Sequence, residues 1–206
     1  MKILTLTRLL FALASIFPFS LASADEGKEL RILSYNIHAG IGTDKVYDLE
    51  RIAAVIKSTN PHIVALQEVD KETKRSRGID IAKKLGELTG MKSVFGASIE
   101  IGGGEYGNAI LTTLDIEKTE TLPIPQKIEV EQRSILSANL AFNGKTIQVL
   151  ATHFCHRETT NRVAAAEFIA AQQAPAGTAS FVIGDLNALP ESEPLKILAK
   201  AGWQNP

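Results

Sequence analysis

Asp185 and Asn187 stand two residues apart where the apolar run Phe181-Val182-Ile183 meets Gly184. The run reads as a buried strand stopped by a glycine. In an extended backbone, residues i and i+2 point to one side, so this acid and this amide can address one ligand together. A carboxylate beside an amide suits a cation-held water and the oxygens of a phosphate. Taken alone, the pair is as well explained by an Asp/Asn turn after a strand. Three further apolar stretches carry a polar side chain at or beside their ends: Asn36, Glu68 and His153. Singly, these read as a turn former, a solvated acid and a hydrogen-bonded, partly buried histidine. Together they form a pattern that a core strand does not need. A site for a hard cation and a phosphate does need it, because such a site holds oxygen ligands and a proton donor on rigid elements.

The elements that must position these residues follow from periodicity. Residues 30–37 alternate as a strand ending at Asn36 and the turn residues Ala39-Gly40-Ile41-Gly42. Asp48 caps a helix with Leu49, Ile52, Ala53 and Ile56 on one face, stopped by Asn60-Pro61. Ile63-Val64-Ala65-Leu66 then runs as a buried strand straight into Gln67-Glu68, and this order predicts a parallel pair with a right-handed crossover. The charged stretch 71–78 reads as solvated surface. Ile81, Leu85 and Leu88 mark a second helix closed by Gly90. Strands follow at residues 91–95 and 109–111, with a glycine-rich loop between them. The segment Leu122-Pro123-Ile124-Pro125 reads as loop or sheet edge. Leu136, Ala138, Leu140 and Phe142 alternate toward the hairpin signal Asn143-Gly144, and the return strand puts Ile147, Val149, Ala151 and His153 on one face. An alanine-rich helix over residues 161–172, the Phe181 strand and a last helix opened by Pro194 complete the chain. Strands outnumber helices and several pair as hairpins, which fits two sheets packed face to face better than one doubly wound sheet.

Composition narrows the partners. The chain has 206 residues, 45% hydrophobic and 22% charged, with no internal repeat and no linker able to divide two domains. Lys2 and Arg8 precede a short apolar run interrupted by Pro18, and Ala22-Ser23-Ala24 offers a small-x-small cleavage site. We expect residues 1–24 to be a cleaved export signal and residues 25–206 the folded domain, periplasmic or secreted, with no transmembrane span after cleavage. Losing Lys2 and Arg8 takes the net charge from −1 to −3. With no overall basic field, tight binding to bulk nucleic acid is not favoured, although a local basic groove is compatible with the sequence. Cys155 is the only cysteine, so no intrachain disulfide forms, and it reads as an inert small side chain.

Several other chemistries find no support. Gly102, Gly104 and Gly107 fit G-x-G-x-x-G, but a strand follows where a dinucleotide fingerprint needs a helix. There is no phosphate-binding G-x-x-x-x-G-K-[ST], no G-x-S-x-G and no H-E-x-x-H, and one cysteine with four scattered histidines gives poor spacing for zinc.

Five segments in order carry a resemblance: Ser34-Tyr35-Asn36-Ile37-His38-Ala39-Gly40, Leu66-Gln67-Glu68-Val69-Asp70, Gly107-Asn108-Ala109-Ile110-Leu111, Thr152-His153-Phe154 and Gly184-Asp185-Leu186-Asn187-Ala188. Over residues 31–203 the chain resembles the endonuclease/exonuclease/phosphatase superfamily, the deoxyribonuclease-I-like hydrolases. The resemblance implies an α/β (α+β) fold, a four-layer α/β/β/α sandwich of two mixed sheets with outer helices, and cleavage of phosphoester bonds with Mg²⁺, or Mn²⁺ in its place. It implies that Glu68 is the principal metal ligand with Asn36 beside it. Asp185 then orients or deprotonates the attacking water, while Asn187 and His153 hold the phosphate and stabilise its growing charge. Asn108 is expected to support the site and Arg133 to contact phosphate; His38, within the first motif, is given no role.

The departure lies at the far end. Members of the superfamily finish with an Asp-His pair on a late strand, and the chain stops before any such segment. We therefore expect a polypeptide shortened at its C-terminus that lacks its last strands. Two readings follow: a phosphoesterase acting on a phosphodiester or phosphomonoester, or a non-catalytic remnant that still binds metal or phosphate. An exported cation-binding protein unrelated to this chemistry would require the five motifs to be coincidence. The slightly acidic charge leans toward a small or lipid phosphoester over duplex DNA, which rewards many cationic contacts.

Overall fold

The computed structural model describes residues 29–172, 174 and 176–204; the expected export signal lies outside them. Among the described residues no helix is long and apolar enough to cross a membrane. The described residues form eight strands and four α-helices, in the order β1 (Ile32–Asn36), α1 (Leu49–Thr59), β2 (Ile63–Lys71), α2 (Ile81–Thr89), β3 (Lys92–Ile101), β4 (Gly104–Thr112), β5 (Asp115–Pro123), β6 (Ser134–Phe142), β7 (Lys145–His153), α3 (Thr159–Ala170), β8 (Ala179–Asp185) and α4 (Glu193–Lys200).

Periodicity explains the layers. The first sheet has the order β1-β2-β4-β3 and the second β5-β6-β7-β8. Each is mixed: β1 runs parallel to β2 and β7 parallel to β8, while the other pairs are antiparallel. Alternate residues of β2 face opposite ways. Ile63 and Ala65 meet Leu136, Ala138, Leu140, Ile147, Val149 and Ala151 between the sheets, while Val64 and Leu66 face Leu49, Ile52, Ala53 and Ile56 of α1 and Ile81, Ala82 and Leu85 of α2. On the far side, Ile135 and Leu150 bury against Ala165, Ala166 and Ile169 of α3 and Leu198 of α4. Three apolar interfaces thus stack four layers, helix–sheet–sheet–helix, as the resemblance implied. Local signals agree with this arrangement. The Asp48 side chain accepts a hydrogen bond from the Arg51 amide at the start of α1, and Asn143-Gly144, both at positive φ, turn β6 into β7.

Some expectations need correction. β3 and β4 are longer than the alternating stretches predicted, so much of the glycine-rich segment is strand, with Gly102 and Gly103 left to turn between them. β5 is a strand whose last residue is Pro123, tolerated because β5 lies at the sheet edge. The stretch 71–78 is not simply solvated. Thr73 and Ser76 are buried, and Arg75 turns back onto Asp70, whose carboxylate is fully buried.

Among the described residues, β1 and β8 each pair on one side only, and they pack beside each other at one rim of the sandwich. A strand secured on one flank opens at lower cost than a central one. We expect amides of residues 32–36 and 181–185 to exchange faster than those of β6 and β7, measured by hydrogen–deuterium exchange of the purified protein in EDTA; equal protection would contradict the strand order.

Candidate active site

Glu68 owes its position to a fault in β2. The pairing of β2 with β4 runs from Ile63↔Thr112 to Leu66↔Ala109 and resumes only at Val69↔Gly107, so two residues of β2 stand opposite Asn108. The helix-facing series is therefore Val64, Leu66 and then Val69, not Glu68. The extra residue adopts a left-handed backbone, φ 59° at Glu68, which turns its carboxylate out of the apolar layer. Glu68 was expected at a strand end; it lies inside β2, and the bulge does what an end would have done. Asn36, His153 and Asp185 are the last residues of β1, β7 and β8.

These side chains meet at one rim. The Asn36 amide Nδ2 donates to Glu68 Oε1 at 2.8 Å and to Asp185 Oδ2 at 3.3 Å, while Asn36 Oδ1 accepts from the His38 backbone N–H at 3.1 Å. Asn187 is not in extended register with Asp185. Its φ is 45°, it lies beyond the end of β8, and its backbone N–H donates to Asp185 Oδ1 at 3.0 Å. Its Nδ2 donates to the Phe154 carbonyl at 3.0 Å, pinning the loop after β7 to the loop after β8. Both side chains still face one cleft, because the left-handed turn restores the convergence that the strand alone would have provided.

That cleft, of about 330 Å³, is lined by Glu68, Asp185, Asn187, His153, Arg133 and other polar groups. His153 is buried, with Nε2 3.9 Å from Asp185 Oδ2, beyond hydrogen-bond reach. Burial, then the neighbouring Arg133 guanidinium, push its pKa from 6.5 down to about 4, so the close approach to Asp185 is not an ion pair at neutral pH. Arg133 is also buried, and it donates to His153 Nδ1 at 3.1 Å and pairs with Glu131 at 2.9 Å. Asn108 does not line the cleft. Its Nδ2 donates to the Ser134 carbonyl at 3.1 Å, tying the two sheets together, and its buried Oδ1 finds no partner in the protein.

Sequence reasoning missed part of the lining. His38, Arg75, Tyr106, Glu131 and His156 all face this cleft. Arg75 is held by Asp70 through two hydrogen bonds of 2.7 and 2.8 Å and lies over the Tyr106 ring at 5.4 Å. Burial, then Glu68, raise the Tyr106 phenol to about 12. The available signal was the spacing of Asp70 and Arg75 just after Glu68, which a solvated-loop reading discards. A larger groove of about 590 Å³ along β1 is lined by Asn36 and shares His38 with this cleft. Its carboxylate, Asp44, is engaged by Arg51 at 2.6 Å and held at a pKa of about 2, first by that hydrogen bond, which leaves it poorly placed to serve a ligand.

The donor set fits a hard divalent cation. Two carboxylates, Glu68 and Asp185, converge on one neutral amide that cannot cancel their charge. Among the described residues no three His, Cys, Asp or Glu side chains form a ready metal cage. Magnesium needs none, since it is commonly held by one or two carboxylates together with water and substrate phosphate.

The histidine also makes stability depend on pH. Between about pH 4 and 6.5 the unfolded chain binds a proton at His153 that the folded chain refuses, so stability is full above that window and falls as pH drops through it. The loss is on the order of 2–3 kcal/mol. Urea melts near pH 7.5 and pH 4.5 should show it, and His153→Gln should remove most of the difference; an unchanged pH dependence in that variant contradicts the assignment.

Two mixed sheets between outer helices define a class of fold, and comparison with known proteins agrees. The chain belongs to the Endonuclease/Exonuclease/phosphatase family, whose sequence profile matches residues 33–205. Similar solved structures include an endonuclease/exonuclease/phosphatase from Beutenbergia cavernae DSM 12333, 22% identical with TM-score 0.70, the match covering 84% of this chain and 53% of that one. The mannosyl-6-phosphatase of Bacteroides thetaiotaomicron VPI-5482 is 18% identical with TM-score 0.67, covering 84% and 71%. A truncated Caenorhabditis elegans TDP2 is 27% identical with TM-score 0.59, covering 80% and 65%. The first two likenesses speak for the fold alone, and the chain spans about half the length of the Beutenbergia protein. No curated protein matches it significantly.

Proposed function

We propose that the chain is a divalent-metal-dependent phosphoesterase that splits a phosphodiester or phosphomonoester with water. One observation carries the reading: Glu68 and Asp185, from different sheets, share the single amide of Asn36 beside a neutral, buried His153. Glu68 would hold Mg²⁺, or Mn²⁺ in its place, and Asn36 would join it through Oδ1 once its amide, whose Nδ2 now faces Glu68, has turned over. When bound, the cation supplies electrophilic stabilisation of the phosphoryl oxygens. Asp185, oriented by the Asn187 amide, accepts the proton of the attacking water as the new P–O bond forms and the ester P–O bond breaks. His153 donates a hydrogen bond to a phosphoryl oxygen, where charge grows in the transition state. The leaving oxygen takes its proton from solvent. The mannosyl-6-phosphatase likeness adds sugar phosphates to the small phosphoesters worth assaying; bulk nucleic acid is disfavoured by the charge balance.

Export, with the domain acting outside the cytoplasm, belongs to the same proposal and rests on the N-terminal sequence. The test is hydrolysis of p-nitrophenyl phosphate and bis-p-nitrophenyl phosphate by the purified chain, with Mg²⁺ and with EDTA. Turnover that EDTA abolishes, and that Asp185→Asn lowers by roughly 10²–10⁴-fold, supports the reading. Saturable Mg²⁺ binding without turnover at high enzyme concentration makes the chain a non-catalytic member of its family and overturns it.

A further inference from the structure

Arg133 enters the site from the residue just before β6, and His153 ends the neighbouring antiparallel strand β7. The two are therefore fixed against each other by sheet register rather than by flexible loops. Arg133 Nη1 lies 3.1 Å from His153 Nδ1. A guanidinium has only N–H donors and no acceptor lone pair, so at that distance Nδ1 must be the bare nitrogen of the ring. In a neutral imidazole the proton is then on Nε2, the nitrogen turned toward Asp185.

Arg133 is also held by neighbours other than His153. Nη1, which donates to His153, also lies 2.9 Å from Glu131 Oε1 as an ion pair. Nη2 approaches His156 Nδ1 at 3.3 Å, and the buried Nε has no hydrogen-bond partner among the described residues.

We propose that Arg133 is a positioning residue that locks His153 in its Nε2–H tautomer, making the histidine a hydrogen-bond donor to the phosphoryl group and barring it from acting as a base. The mechanistic half of this rests on the phosphoesterase reading; the tautomer itself does not. Burial and the adjacent positive charge act in the same direction, since they keep the ring neutral. A base at this position would have to receive a proton on Nδ1, which the arginine already occupies, or on Nε2, which already carries one. Proton removal from water is thereby left to Asp185, so the acid and the histidine have separate tasks.

The test reads the tautomer directly. The full chain is labelled with ¹⁵N in its histidine rings, of which the sequence has four, and two-bond ¹H–¹⁵N correlations are recorded near neutral pH. The His153 signals are identified by their loss in His153→Asn. The expected wild-type pattern is a protonated Nε2 with an unprotonated, hydrogen-bonded Nδ1. Arg133→Met should give a mixture of tautomers, and Arg133→Lys, which still donates toward Nδ1, should restore the wild-type pattern. A wild-type spectrum showing the Nδ1–H form overturns the proposal even if the methionine variant fails to fold, and so does an unchanged tautomer in a folded Arg133→Met. Kinetics supply an independent arm. A positioning role lowers kcat roughly 10- to 100-fold with KM little moved, whereas a direct clamp on ground-state phosphate raises KM and refutes it. If the wild-type chain shows no turnover, the phosphoesterase reading fails while the spectrum still decides the tautomer.

Discussion

On the proposed phosphoesterase reading, Glu68→Gln should remove divalent-cation binding at the rim and lower magnesium-dependent turnover by more than about 10²-fold, the largest loss usual for disturbing even an outer partner of a metal site. At the same time it makes the metal-free protein more resistant to urea. Both effects have one origin. The Glu68 and Asp185 oxygens lie 2.8 and 3.3 Å from the same amide nitrogen, and two like charges are held together by a neutral group. Glutamine keeps the volume and can still accept from Asn36, but removes one of the charges. Calorimetric titration with Mg²⁺ and urea melts in EDTA measure the two arms. A variant that binds Mg²⁺ as tightly as the wild type, or one less stable in EDTA, means that the carboxylates do not oppose each other as described.

Gly184→Ala unfolds the domain or destabilises it by more than the ~0.5–3 kcal/mol of ordinary substitutions. Gly184 sits at φ +155° one residue before Asp185, where a Cβ would come within 1.8 Å of the Thr152 carbonyl oxygen. That oxygen is backbone of β7, the strand that ends in His153, and cannot swing aside as the tip of a side chain can. The tight approach is what brings Asp185 and His153 level across the parallel pair, since their residues are register partners. Gly144→Ala is the control: its φ is +71° but nothing lies within 4 Å, so it should cost only about 1–2 kcal/mol of backbone strain. Urea midpoints of the two variants decide the matter. Equal midpoints would show that β8 does not pack against β7 in this register.

Much of the architecture was legible because it obeys local rules. Leu49, Ile52, Ala53 and Ile56 announce α1, Asp48 and Asn60 bound it, and Asn143-Gly144 fixes the β6–β7 register. The candidate residues Asn36, Glu68, His153, Asp185 and Asn187 could be picked out as polar breaks in apolar runs, and the structure brings them to one rim. Their aim could not be read. The bulge at Glu68 depends on a two-against-one pairing with Asn108, a residue of another strand with α2 and β3 between them in the chain, and no period within β2 reveals it. The left-handed turn at Asn187 defeats the simple i, i+2 rule, although asparagine is among the residues that tolerate that conformation. Arg75 was hidden for a different reason. A charge in a charged loop looks solvated until a buried acid such as Asp70 is found holding it.

The one-sided pairing of β1 and β8 bears on what binding must accomplish. Asn36 and Asp185 ride on strands that, among the described residues, pair on one side only, one from each sheet, so a ligand that grips both would also fasten the two sheets to each other along that rim. Part of the intrinsic affinity is spent on stiffening that rim, which lowers the observed affinity below what the donor atoms alone would give. It also means that whichever arrives first, cation or phosphate, leaves the second less ordering to do. The two should therefore bind cooperatively, through the backbone as well as through their opposite charges.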